Sequence, residues 1–233
     1  MHDVDKSART TTKFANIVAT TALLQVGTDG GMTNSDGTFG FVWSDGVSLA
    51  AYGKGDTTGG GDSMSSTREE LSGILAALTY LRLVLAYTNI ALLPGLQCIL
   101  HCDSTAALQR VKSIDYQRFG TAWRCRANYD LEVAIKVCLS SLPLTVTWAW
   151  VRGHASRRKK EYDFTWPEVL NSCADEMATA ARARKHVQGS THWPEQAISV
   201  SGPKGRLTGH LSKEIRYCCT SRDIQSYWKE RYN

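Results

Sequence analysis

Apolar and polar positions along the chain change rhythm several times, and each change marks an element. ALLQVGTDG, from Ala22, is an apolar run ending in a turn, which predicts a first strand. TFGFVWSDGVSLAAYGKG holds two apolar runs around Ser44-Asp45-Gly46. Asp-Gly between such runs is a strong hairpin signal, so three strands follow as an antiparallel meander. GDTTGGGDSM is polar and glycine-rich and predicts a loop. It lacks the G-x-x-x-x-G-K-[ST] pattern of a phosphate-binding loop.

SSTREELSGILAALTYLRLVLAY has helical periodicity, and Ser66 with Glu69 predicts a capping box at its start. LQCILHCD predicts a buried fourth strand, and Ser104 opens a shorter helix to about Val111. Residues 112–126 are irregular, basic and aromatic; Asn128 is then placed to cap a helix to about Leu139. LPLTVTWAWV predicts a fifth strand, in which Trp148 and Trp150 are expected to pack. An alanine-rich helix runs from Trp166 to about His186. A meander followed by strand–helix units implies an α/β fold with one mixed sheet and helices on its faces.

The two ends read differently. Residues 1–19 are polar and Thr-rich and are expected to be a tail, leaving a main domain over 20–188. Residues 189–233 form an extension of unassigned role, with a short strand expected at AISVSG and helical periodicity beyond it.

Composition narrows the class. No run of 18 or more apolar residues occurs in the 233, so no membrane span is expected, and the N-terminus lacks the apolar core of a signal peptide. Seven cysteines, an odd number without a C-x-x-C pair, suggest buried thiols, a reducing intracellular setting, cytoplasm or nucleus, and no zinc site. The net charge of +5 is uneven: residues 110–160 hold eleven Lys/Arg against three Asp/Glu. A concentrated basic segment suits a polyanionic partner.

Four acids stand out by their settings: Asp29 in VGTDGG, Glu70 in STREEL, Asp103 in ILHCDST and Asp175 in NSCADEMA. His154 lies in WVRGHAS between the last two. Each acid falls at a strand or helix end, where it can be exposed. Four carboxylates gathered at one point stay ionised together only with cations among them, and hard oxygen donors favour Mg²⁺ or Mn²⁺.

These segments resemble the ribonuclease H family. VGTDGG is similar to its first-strand T-D-G, TREEL to its R-x-E-L, CDST to its T-D-S, and WVRGHA…ADEMATAA to its W-V-K-G-H…A-D-x-L-A-x-x-A. The resemblance spans about residues 22–187 and implies the ribonuclease H-like fold, a five-stranded mixed sheet flanked by helices. It also implies an endoribonuclease that cuts the RNA strand of an RNA/DNA hybrid with two Mg²⁺ ions, Mn²⁺ substituting, and leaves 5′-phosphates. Asp29 would bridge both ions, Glu70 and Asp103 would hold the one on the attacking-water side, and Asp175 the one on the leaving-group side. Glu70 is preferred to Glu69 because it precedes Leu71, leaving Glu69 to the helix cap. His154 would assist proton transfer or product departure. The alternative is a binding module on the same fold that has lost catalysis.

One departure is informative. His154 and Asp175 are 21 residues apart, and the insert between them carries Arg157, Arg158, Lys159 and Lys160. Such long forms resemble the ribonuclease H domains of some retrotransposon polyproteins and related eukaryotic genes, which leaves open whether a reverse transcriptase belongs upstream; a monomer is expected. The insert is expected to grip a phosphate backbone. Arg118, Trp123 and Arg124, basic residues interleaved with an aromatic, are further candidates for nucleic-acid contact. So are Gly30, Gly31, Thr67 and Ser104, for phosphate or 2′-hydroxyl groups, although Thr67 and Ser104 also suit helix caps.

Overall fold

The expected meander forms β1 (Leu23–Thr33), β2 (Asp36–Ser44) and β3 (Leu49–Asp56), each antiparallel to the next. The computed structural model describes residues 2–33, 36–57, 64–114 and 127–183, and the backbone of 201–202 and 205–206. At the β2–β3 turn Asp45 Oδ1 accepts from the amides of Val47 (2.9 Å) and Ser48 (2.7 Å), and Gly46 takes φ +89°. The predicted Asp-Gly turn is therefore present, with the aspartate carboxylate stabilising it.

Helix α2 (Ser66–Thr88) crosses back so that β4 (Gln97–Cys102) pairs parallel with β1. Helices α3 (Thr105–Ser113) and α4 (Tyr129–Ser141) lead to β5 (Val146–Trp150), parallel to β4. The last long helix is α5 (Trp166–Arg182). The strand order is β3-β2-β1-β4-β5, one mixed five-stranded sheet with helices on both faces. This is the fold class the sequence predicts.

The main core fills the space between the sheet and α2 with its neighbours; Phe41, Trp43, Leu71, Ile74, Leu75, Leu78 and Leu100 are among its buried members. By length and composition alone α2 is apolar enough to cross a membrane, but its apolar residues are largely taken up by this core. The opposite face carries a smaller cluster of Val42, Leu170 and Ala174 under α5. Alternation along β2 divides the two, with Trp43 and Phe41 facing α2 and Val42 facing α5.

Two expectations change. The N-terminal segment is not a tail: residues 2–20 form helix α1 (His2–Thr20), whose Phe14, Ala15 and Val18 are buried in the main core. Phe14 packs its ring 5.7 Å from that of Trp43 and 5.3 Å from that of Tyr80. A polar composition hid three apolar positions that share one helical face. The cap of α2 is also displaced by one residue: Ser65, not Ser66, accepts from the Arg68 amide, so Glu69 takes no part in a capping box.

The short strands Ser201–Gly202 and Gly205–Arg206 pair antiparallel, at the end of the segment expected to hold a strand. The helices expected further along the extension lie outside the described residues.

Candidate functional site

Each of the four acids is delivered by a different element. Asp29 sits on β1, Glu70 just past the first turn of α2, Asp103 directly after β4 and Asp175 on α5. Close packing of α5 on the sheet sets the depth of Asp175. A Cβ on Gly27 would lie 2.6 Å from the Leu170 backbone, and one on Gly40 2.2 Å from the Ala174 carbonyl, so only glycine admits the helix at this distance. Thr38 Oγ1 adds a hydrogen bond to the Ala178 carbonyl at 2.9 Å.

Arg68 holds the turn that leads into Glu70. Its guanidinium is fully buried and donates to both oxygens of Asp130, at 2.9 and 2.7 Å, and to Asn128 Oδ1 at 3.3 Å. Asn128 thus stands at the start of α4 as expected, but its side chain serves Arg68 and makes no cap hydrogen bond.

The four carboxylates meet. Asp29 is 6% exposed; burial first, then repulsion from Asp103 and Asp175 and a hydrogen bond with Asp175, push its pKa up to about 8. Burial, with the charges of Asp29 and Asp103, also holds Glu70 well above the ordinary carboxylate range. The Gly30 amide hydrogen-bonds to both Asp29 and Glu70 and partly draws them back. Asp103 is raised by burial and by Asp175, and lowered by a hydrogen bond from Asn171 and the nearby His154 ring. Asp29 and Asp103 each feel the charge of all of the other three.

His154 is exposed and takes a left-handed conformation (φ 52°, ψ 48°) at the head of a short 3-10 turn over Ala155–Arg157. Gly153 before it lies against Asp103, which brings the histidine loop to the acidic cluster.

Such a cluster fits divalent cations. Four oxygen acids in one partly buried place repel each other, and a hydrogen bond between Asp29 and Asp175 requires a proton on one of them. Cations of hard character would replace that proton and cancel the repulsion.

Other candidates fare differently. A side chain at Gly30 would strike the backbone of Glu69 and Glu70, and one at Gly31 the Arg182 guanidinium, so both positions need glycine for the packing of α2 and α5. Ser104 caps α3, accepting from the Ala107 amide at 3.2 Å. Thr67 is part-exposed in the first turn of α2. Arg157 and Lys160 are exposed, whereas Arg158 and Lys159 are tied to Glu168 at 3.8 and 2.5 Å. Arg158 also donates to the carbonyls of Arg152 and Gly153. Arg118, Trp123 and Arg124 lie outside the described residues.

Three residues escaped the sequence reading. Cys102 is fully buried with its Sγ 3.6 Å from Glu70 Oε2; its place beside Asp103 was the available signal. Asn171, one helical turn before Asp175, contacts Asp103 and is 4% exposed. Trp150, expected to pack, is instead 55% exposed, and its indole N–H donates to the Asp103 carbonyl at 3.0 Å. Trp148 does pack against the core. Glu69 turns away from the cluster; it is buried, with Oε1 lacking a partner among the described residues, and burial pushes it up to about 7 while Arg182 pulls it down.

No protein-family model and no curated protein matches this chain. Among solved structures it is similar to LC11-RNase H1 crystallised with an RNA/DNA hybrid, at 12% identity and TM-score 0.48 over 68% of this chain and 95% of that one. RNase H1 from the halophilic archaeon Halobacterium salinarum NRC-1 gives 17% identity and TM-score 0.44 over 69% and 97%. Prototype foamy virus protease–reverse transcriptase gives 16% and 0.49 over 70% of this chain and 21% of that one. At such identities the likeness is to the course of the strands and helices, not to the chemistry of any one site.

Proposed function

We propose that this chain is an endoribonuclease that hydrolyses the RNA strand of an RNA/DNA hybrid. One observation carries the proposal: Asp29, Glu70, Asp103 and Asp175, which stand in motifs resembling those of ribonuclease H, converge from four elements into one partly buried cluster. On the pattern the motifs resemble, Asp29 would be shared between two cations, Glu70 and Asp103 would hold one and Asp175 the other. A pair of Mg²⁺ ions, when bound, supplies a water of lowered pKa and compensates charge gathering on the phosphate.

The remaining work falls to the chain itself. His154, exposed beside Asp103, would carry a proton to or from the departing oxygen. Arg157 and Lys160 supply exposed positive charge on the same loop for the phosphate backbone. Trp150 offers an exposed ring next to Asp103 for a sugar or base face. Selection of a hybrid rests on helix shape and 2′-hydroxyl groups rather than base identity. The long segment between His154 and Asp175 favours a retroelement-type domain, joined to a reverse transcriptase in a longer polyprotein and working inside the cell.

Cleavage of end-labelled RNA/DNA, RNA/RNA and DNA/DNA duplexes in Mg²⁺ tests this reading. The expected result is cutting of RNA in RNA/DNA alone, with 5′-phosphate products, abolished by Asp103→Asn. Hybrid binding by the wild type without any cutting would replace the enzyme with a binding module.

A further inference from the structure

The acidic cluster contains a donor that hard-cation chemistry does not call for. Cys102 ends β4 with its thiol fully buried, 3.6 Å from Glu70 Oε2, and the Ser104 amide donates to its sulfur at 3.4 Å. One ligand atom each from Glu70, Cys102 and Asp103 lie within 4.8 Å of one another. We propose that Glu70, Cys102 and Asp103 form a thiophilic cation site that takes one Zn²⁺ or Cd²⁺ ion through a sulfur and two carboxylate oxygens.

The spacing supports this. Tetrahedral zinc holds thiolate sulfur at about 2.3 Å and carboxylate oxygen at about 2.0–2.2 Å, which sets the two donors roughly 3.5–3.6 Å apart. The Cys102–Glu70 pair already stands at that distance. Asp103, part-exposed, gives the third donor and the way in from solvent. A second, separate feature lies beside Asp103: Asn171 hydrogen-bonds Asp103 and is nearly inaccessible, yet its Oδ1 has no hydrogen-bond partner among the described residues. A water completing the tetrahedron would be a donor for that oxygen.

Sulfur alters selectivity. An all-oxygen set suits Mg²⁺, whereas one thiolate shifts preference strongly toward zinc and cadmium. Coordination exchanges the thiol proton for the metal. An ion held this way takes Glu70 and Asp103 from the Mg²⁺ centre, so thiophilic cations would act as inhibitors. That inhibitory consequence rests on the function proposed above; the binding itself does not.

Three measurements decide it. Cd²⁺ titrated into metal-free wild type should raise a saturable ultraviolet thiolate-to-metal band. Cys102→Ser should lose one equivalent of it, and Glu70→Gln should need at least tenfold more Cd²⁺ to half-saturate. Equal amplitude and midpoint in wild type and a folded Cys102→Ser would overturn the assignment. Zinc-edge X-ray absorption of wild type loaded with one equivalent needs no variant: one sulfur at about 2.3 Å with a shell of oxygens is expected. No sulfur, or two, would refute the site. In Mg²⁺-dependent hybrid cleavage, the Zn²⁺ concentration that halves the activity should rise at least tenfold from wild type to Cys102→Ser. Equal sensitivity would refute inhibition through Cys102. If wild type cuts no hybrid at all, the function proposed above fails while the band and the absorption edge still judge the cation site.

Discussion

Gly153 lies so close to Asp103 that a Cβ on the glycine would stand 2.0 Å from Asp103 Oδ2. The loop bearing His154 and the carboxylate ending β4 are therefore fitted to each other with no room for a methyl group. Gly153→Ala must push the loop away or turn the carboxylate. A displacement of about 1 Å at a reacting centre costs on the order of 10²-fold in rate. We expect hybrid cleavage to fall by about that factor while the urea midpoint moves little, since the loop is at the surface. Unchanged kcat in this variant would show that Asp103 has no fixed working position.

Arg68 is fully buried and forks onto Asp130, so it joins the first turn of α2 to the first turn of α4. Removing one partner of a buried pair leaves the other charge uncompensated, at about 3–5 kcal/mol. Arg68→Ala should lose stability of that order in urea unfolding. Arg68→Lys should recover only part of it, because an ammonium cannot reproduce the two-pronged contact. Because Glu70 follows directly on this turn, both variants should also bind Mg²⁺ more weakly, as calorimetry would measure. A loss below about 1 kcal/mol in Arg68→Ala would show that the pair is not what fixes this turn.

Asp29 is pushed from its ordinary value of 3.8 to about 8. Between those values the folded protein without metal keeps a proton that the unfolded chain releases. Rising pH therefore works against folding over this window, by up to about 1.4 kcal/mol for each pH unit at a fully shifted group. Stability linked to Asp29 is complete below about pH 4 and lost as pH climbs to about 8. Bound Mg²⁺ removes the reason for the proton. Scanning calorimetry should give a small Mg²⁺-induced rise in Tm at pH 5.5 and a rise of several degrees at pH 8. Asp29→Asn should abolish that difference and, without metal, melt higher than wild type at pH 8. A Mg²⁺ effect that shrinks as pH rises would contradict the arrangement.

The positions of the four acids were legible because each sits in a short local pattern: a strand carrying Asp-Gly-Gly, a helix start, a strand end, an alanine-rich helix. The sheet was legible for the same reason, since the Asp45-Gly46 turn and the apolar runs fix the pairing. Contacts between distant elements were not. Cys102 reads as a core thiol until α2 is laid across β4 and Glu70 comes beside it. Of the adjacent pair Glu69 and Glu70, the rotation of the helix decides which faces the cluster, and adjacent Ser65 and Ser66 hid the true cap. Helix α1 was missed because Phe14, Ala15 and Val18 are few among threonines and charges, and their burial depends on Trp43 and Tyr80 from elsewhere. The basic run Arg157–Lys160 reads as uniform charge, yet Glu168 takes two of its members.

That last contact leads to a prediction about His154. Glu168 caps α5, accepting from the Thr165 amide at 2.8 Å, and also holds Lys159 at 2.5 Å. Arg158, near the same carboxylate, donates to the carbonyls of Arg152 and Gly153 at 3.1 and 3.2 Å. The histidine is thus fixed between a glycine pressed on Asp103 and a pair of cations tied to the next helix. Glu168→Gln keeps an acceptor for the Thr165 amide but weakens the hold on Lys159 and Arg158. If this hold positions the proton carrier, kcat should fall about tenfold with KM little changed. His154→Ala alone should cost about 10²-fold, the lower range for a lost general acid or base. The double variant should be no slower than His154→Ala, because residues acting through one another are not additive. Hydrogen bonds from Lys159 and Thr165 keep the Glu168 carboxyl down at about 2, so the effect of Glu168→Gln should be constant from pH 6 to 9. Additive losses in the double variant would separate Glu168 from the histidine and leave it only a helix cap.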